Sequence, residues 1–222
     1  TVKDVVNHEA FAGFGQFILP AERRYDDDLP LRNVANMLPY HNYVTGERAV
    51  ETINRMIDYV HDGNRLFYDI YSEAEKRADP RKNNTGLFFF RGEPRRPFAI
   101  VCPGGGWSYV GAIHEGFPLA IALSRMGYNA FSIQYRTGGA QVACEDLAQA
   151  IDFIMRHAGE LQVSTEDYSL WGGSAGARMA AYLGSYSTQG FIAADNPRPA
   201  AVIMGYTGHT DYTRNDPPTD VV

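Results

Sequence analysis

Apolar positions along the chain fall into two periods, and the change between them divides it. From Thr45 to Asp62, Val50, Ile53, Met56, Ile57 and Val60 recur every three or four residues, which predicts a helix. Thr45 can cap it, with Glu47 in the first turn, and Gly63 ends it. The residues before it, 1–44, are rich in turn formers and carry the acidic run Asp26-Asp27-Asp28. They read as an irregular segment, so 1–64 is expected to be an N-terminal extension with one clear helix packed on a core at 65–222. In that core, Leu66–Tyr71, Leu87–Phe90, Phe98–Cys102, Ala130–Tyr135, Tyr168–Trp171 and Ala200–Met204 are short apolar runs and predict strands. Glu73 to Asn84 reads as a short helix or loop. Glu115–Met126, Glu145–His157 and Ser174–Ser185 predict helices between the later strands. The link R-G-E-P-R-R-P is short enough for its two flanking strands to pair antiparallel. Alternating strands and helices with apolar strands predict an α/β fold, a mostly parallel sheet covered by helices on both faces.

Composition narrows the partners. The 222 residues are 45% hydrophobic, enough for a sizeable core, and the formal net charge is −6 with no long basic block. That argues against nucleic acid or an anionic membrane as the main partner. No apolar run approaches the ~18 residues of a membrane span. The first residues do not resemble a signal peptide, which fits the cytoplasm, although a trimmed start leaves export open. Cys102 and Cys144 form no disulfide framework and read as buried packing residues. No Cys/His cluster suggests a metal site, and no cofactor requirement is expected.

The candidate chemistry lies in Gly172-Gly173-Ser174-Ala175-Gly176, which fits G-x-S-x-G between an expected strand and an expected helix. A very tight turn there would hold Ser174 in a strained backbone with its hydroxyl above the sheet edge. Side chains two before and two after would collide with their surroundings, and Gly172 and Gly176 remove them. The Ala175 N–H, at a helix start, is free to meet a negative oxygen. The alternative is a glycine-rich turn with an idle serine. A second motif, Pro103-Gly104-Gly105-Gly106-Trp107, follows the strand Phe98–Cys102. Its glycines can present the N–H groups of Gly105 and Gly106 as further oxyanion donors. A phosphate loop is the rival there, but the Lys-Ser/Thr ending and the G-x-G-x-x-G spacing are missing.

In this order and spacing, C-P-G-G-G-W-S-Y-V-G-A-I-H-E-G-F-P, G-Y-N-A-F-S-I-Q-Y-R and D-Y-S-L-W-G-G-S-A-G resemble the α/β-hydrolase superfamily. More narrowly they resemble its small bacterial esterase/lipase group, which includes acetyl-xylan-esterase-like carbohydrate esterases. The likeness covers about 66–222, with Pro103 where many lipase-like relatives have histidine. It implies a serine nucleophile at Ser174, an oxyanion hole from Gly105, Gly106 and Ala175, and an acid and a histidine later in the chain. The sequence ends A-V-I-M-G-Y-T-G-H-T-D-Y-T-R-N-D-P-P-T-D-V-V, and Val221-Val222 reads as the start of another strand. Two further β/α units would need roughly 50 residues. The expectation is therefore a core lacking its last strands and helices, with acid and base beyond Val222. Asp220 is unusual at the start of a buried strand.

Other residues carry weaker expectations. His209, with Asp211 nearby, and His114 stand on the correct sheet edge but break the order serine, acid, histidine; loop capping for His209 and helix-start packing for His114 are the stronger readings. Trp107, Tyr109, Tyr206 and His209 are expected to border the substrate, with loop anchoring the stronger reading for Tyr109. Arg136 and Arg178 are expected to pair with acids. The resulting expectation is a carboxylesterase for a small-molecule ester, acetylated sugars being one candidate class. A homodimer is compatible with it. The rival is a catalytically inactive binding protein on the same fold.

Overall fold

A computed structural model of the protein describes residues 1–20, 26–37, 44–207 and 220–221, with backbone alone at 35–37 and 220–221. His209 and Asp211 lie outside the described residues. The helices are α1 Val2–Val6, α2 Gly46–His61, α3 Glu73–Ala78, α4 Phe117–Arg125, α5 Ala140–Arg156, α6 Ala158–Leu161 and α7 Ala175–Tyr186. The strands are β1 Phe67–Tyr68, β2 Gly86–Phe90, β3 Pro97–Cys102, β4 Asn129–Gln134, β5 Ser164–Gly173, β6 Ala201–Gly205 and β7 Asp220–Val221. They form one sheet in the order β1-β2-β4-β3-β5-β6-β7. Strands β4, β3, β5, β6 and β7 run parallel, and β1 and β2 join antiparallel.

Strand order fixes where the helices go. From β3 the chain moves through α4 to β4 on one side; from β4 it moves back through α5 to β5 on the other side of β3, and on through α7 to β6. Right-handed crossovers therefore put α4 on one face of the sheet and α5 and α7 on the opposite face. This is the mostly parallel, doubly covered sheet expected from the sequence. Its central strands are buried on both faces, and their large side chains interlock across neighbours. Phe89 of β2 stacks on Phe131 of β4 with ring centroids 4.3 Å apart, and Phe98 of β3 stacks on Tyr168 of β5 at 4.7 Å.

Three local expectations are corrected. β2 and β3 do not pair with each other: β2 pairs with β1 and β4, and β4 lies between β2 and β3. The connecting segment is no hairpin turn. Glu93 N–H donates to Gly127 O (3.0 Å) and Arg95 N–H to Gln162 O (2.7 Å), so it hooks over the starts of β4 and β5 and carries the chain past β4. Strand β1 keeps only two residues of the expected six, because Asp69 turns to Lys76 (2.6 Å) and Tyr71 to Asp146. Strand β5 is ten residues long, since its polar start pairs Ser164 with Pro97 across an irregularity that includes Asp167 at φ 54°.

The N-terminal residues share the core. Val2, Phe11, Ile18 and Leu19 join the same buried cluster as Ile53 and Met56 of α2 and the strands. Val2 N–H donates to Leu29 O (2.9 Å), and Phe14 stacks on Phe67 at 5.0 Å. Cys102 and Cys144 are free and buried. Burial pushes both thiols up, Cys144 to about 12, so neither is a thiolate near neutral pH. No helix among the described residues is long and apolar enough to cross a membrane.

One buried charged cluster ties α5 to the end of β4. Asp146 is fully buried and accepts from the Arg136 backbone N–H (2.7 Å), the Arg136 guanidinium (2.8 Å) and the Tyr71 hydroxyl (2.6 Å). Asp79 (3.1 Å) and Glu145 (3.3 Å) complete the surroundings of Arg136, confirming its acid-pairing role. Removing one member of such a cluster strands the others. Asp146→Ala is expected to destabilise the fold by roughly 3–5 kcal/mol. Urea unfolding checks this; a loss under about 1 kcal/mol would show that Arg136 is satisfied without it.

Candidate active site

The sheet has a point where successive connections diverge. The chain leaves β3 toward α4 on one face and leaves β5 toward α7 on the other, which opens a crevice above the carboxyl ends of these adjacent strands. In open α/β sheets this is where ligands bind. Both sequence motifs meet there.

Ser174 lies between β5 and α7 with φ 53° and ψ −119°, a conformation that L residues seldom adopt. Its N–H donates to Gly205 O of β6 (3.0 Å), which holds the strained turn. Close approach on both sides demands glycine. A Cβ on Gly172 would stand 2.4 Å from the Gly176 carbonyl of α7, and a Cβ on Gly176 would stand 1.9 Å from Cys102 O of β3. Gly176 thus faces the neighbouring strand rather than the strand that precedes it. The Ser174 hydroxyl has no hydrogen-bond partner among the described residues.

The loop after β3 lies against this turn. A Cβ on Gly104 would come within 3.0 Å of Ser174 Cβ. Gly105, at φ 141°, has no room for a side chain, because its Cβ would meet Tyr109 O at 2.0 Å. The N–H groups of Gly105, Gly106 and Ala175 have no acceptor among the described residues, whereas Gly104 N–H is already used by Glu115 (2.7 Å). Unspent donors are therefore present in the loop that lies against the Ser174 turn and at the start of α7, where the helix dipole favours negative charge. Such an arrangement can stabilise an oxyanion next to a nucleophile.

The remaining candidates divide. Tyr109 is buried under Gly105, in keeping with loop anchoring. Trp107 is half-buried, at φ 57°, and its carbonyl accepts from Gly138 N–H (2.8 Å). Tyr206 follows β6, is 62% exposed, and its hydroxyl donates to Glu115. His114 is buried in the π-helical turn Ala112–Gly116 that precedes α4, which fits helix-start packing. Arg178 has no acid partner among the described residues, contrary to the expectation: its guanidinium lies 5.8 Å from the centre of the Trp107 ring, and its Nε has no hydrogen-bond partner among those residues. One residue of the site was missed from the sequence. Glu115 touches Gly104, Gly173 and Tyr206 together. Its signal is a carboxylate beside His114 in the run A-I-H-E-G-F, shortly after the glycine loop. Beside these residues a cavity of about 440 Å³ opens on the α4 face, between Leu119 of α4 and Trp171 and Ile203 of the sheet. Among the described residues no three His, Cys, Asp or Glu side chains come together as a metal would need.

Comparison with known proteins bears on this arrangement. No curated protein matches the chain. Among solved structures, Thermogutta terrifontis esterase 2 phosphorylated by paraoxon superposes with a TM-score of 0.51 at 21% identity, covering 60% of this chain and 57% of that one. The propionate-bound form of the same thermophilic planctomycete esterase gives 0.49 at 22%, covering 54% and 48%. The chain thus spans about half the length of these esterases, and at this identity the likeness is one of fold, that of the α/β-hydrolases. The BD-FAE family profile matches residues 91–213, from the segment before β3, through the glycine loop and the Ser174 turn, to beyond β6. Since that match takes in more than half of the chain and both motifs of the crevice, the protein belongs to the BD-FAE family.

Proposed function

We propose that the protein is a serine carboxylesterase. The observation that carries this reading is the strained Ser174 turn packed against the glycine loop, with the N–H groups of Gly105, Gly106 and Ala175 unspent among the described residues. In the proposed reaction Ser174 Oγ attacks the ester carbonyl carbon while a histidine later in the chain takes its proton. The carbonyl π pair moves onto oxygen, and the three N–H groups hold that oxyanion. Collapse of the tetrahedral intermediate breaks the bond to the alcohol oxygen, which leaves with the proton from the histidine. Water, activated by the same histidine, then releases the acid from the acyl-Ser174 ester. A carboxylate orients the histidine. The proposed substrates are small acyl esters, acetylated sugars among them, with Trp107 and Tyr206 bordering the alcohol side.

A fluorophosphonate tests this, because such probes modify a serine only when a base activates it. With the full-length gene product, intact mass is expected to show a single adduct that Ser174→Ala abolishes. The same measurement on residues 1–222 locates the base: an adduct there places it within these residues and brings His209 and His114 forward. No adduct on the full-length product would favour a non-catalytic binding protein on the same fold.

A further inference from the structure

Glu115 sits where three connections at the strand ends meet, and its two carboxylate oxygens face different ones. Oε2 accepts from Gly104 N–H at 2.7 Å, in the loop after β3. Oε1 accepts from the hydroxyl of Tyr206, after β6. Sites for a Cβ on Gly173, just before the nucleophile, and on Gly104 would lie 2.8 and 3.0 Å from Oε2, so the carboxylate fills the space between the glycine loop and the Ser174 turn. Both peptide units of Gly104 are held, because its N–H donates to Glu115 and its carbonyl accepts from Gly111 N–H (2.9 Å). The next two N–H groups in the chain, those of Gly105 and Gly106, are the unspent ones.

We infer that Glu115 is a positioning residue: by taking the Gly104 N–H and tying it to Tyr206, it fixes the orientation of the glycine loop so that the Gly105 and Gly106 N–H groups stay aimed at the oxyanion. This rests on the esterase reading. The physical reason is that glycine peptides rotate easily, and a loop with three in succession does not hold a donor geometry unaided. A misplacement of about 1 Å in such a site can cost 10²-fold in rate. The negative charge of Glu115 works against an adjacent oxyanion, so its benefit has to come from geometry. That separates the inference from an electrostatic role: glutamine keeps an acceptor for Gly104 N–H, can donate to the Tyr206 oxygen, and carries no charge.

The experiment uses the full-length gene product with a short-chain aryl ester and a trifluoromethyl ketone, which forms a serine-bound oxyanion. Glu115→Ala is expected to lower kcat by roughly 10–100-fold with KM changed less than about threefold, and to weaken the ketone in parallel with kcat. Glu115→Gln is expected to stay within about threefold of the parent in all three quantities. Tyr206→Phe, which removes one of the two ties, should fall between. The inference is overturned if Glu115→Ala leaves kcat and ketone affinity intact. It is equally overturned if glutamine fails to rescue and the loss follows melting temperature, the mark of a merely structural carboxylate. Turnover that survives Ser174→Ala overturns the esterase reading itself, and this inference with it. Ser174-dependent turnover indifferent to Glu115→Ala overturns this inference alone.

Discussion

Ser174→Ala is expected to lower kcat for small esters by about 10⁴–10⁶ while leaving substrate affinity nearly unchanged. The size of the loss follows from what the serine would contribute in the proposed reaction: without its hydroxyl no acyl-enzyme forms. The donors themselves survive the substitution, so binding should persist. A companion substitution separates chemistry from architecture. Ser174→Gly removes the same hydroxyl but also relieves the φ 53° backbone, and should raise stability by on the order of 1 kcal/mol relative to Ser174→Ala. Steady-state kinetics and thermal melts on the two variants check both statements. A kcat loss below about tenfold would remove Ser174 from the mechanism. A glycine variant no more stable than alanine would show that the turn stores no strain.

Gly176→Ala has the next largest expected effect, and for a different reason. The added methyl would lie 1.9 Å from Cys102 O and 2.6 Å from its carbonyl carbon, which are backbone atoms of a fully buried central strand and cannot swing aside. Helix α7 must therefore back away from β3, and Ala175 N–H moves with it. We expect a destabilisation of about 3 kcal/mol together with a fall in kcat of roughly 10²-fold. Gly159→Ala, in the short helix α6 with nothing within 4 Å, is the control and should be neutral or slightly stabilising. Equal melting temperatures for the two variants would contradict the close approach of α7 to β3.

The same contrast separates what the sequence states locally from what only distant contacts decide. The Ser174 turn was legible because its demands are local: a sharp strand-to-helix reversal needs glycine where backbones touch, and the pattern Gly172-x-Ser174-x-Gly176 states this within five residues. The strands at Phe98–Cys102 and Ala130–Tyr135 were legible for a similar reason, since an apolar run of that length needs cover on both faces. Which strand lies beside which was not. R-G-E-P-R-R-P looks like a hairpin turn, and only Gly127 and Gln162, far along the chain, reveal that it passes over β4. The polar start of β5 hid in the same way, because Ser164 becomes a strand residue by pairing with Pro97. Glu115 was unreadable for the same cause. Its partners lie 11 residues before it and 91 after it, and nothing in A-I-H-E-G-F names them. Arg178 misled in the opposite direction, since a cation in a helix suggests an acid nearby and here lies against an indole.

The placement of the tryptophans has an optical consequence. Residues 1–222 hold two, and both flank the crevice: Trp107 lies in the glycine loop, with Arg178 5.8 Å from its ring centre and its indole N–H without a partner among the described residues, and Trp171 stands three residues before Ser174 with its N–H on Ser169 Oγ. Ultraviolet emission of residues 1–222, excited at the red edge where their 14 tyrosines absorb little, therefore originates from these two side chains at the crevice. For residues 1–222 the native fluorescence is a local probe without any label, and occupancy of the crevice can be followed in real time from the colour and intensity of its own light.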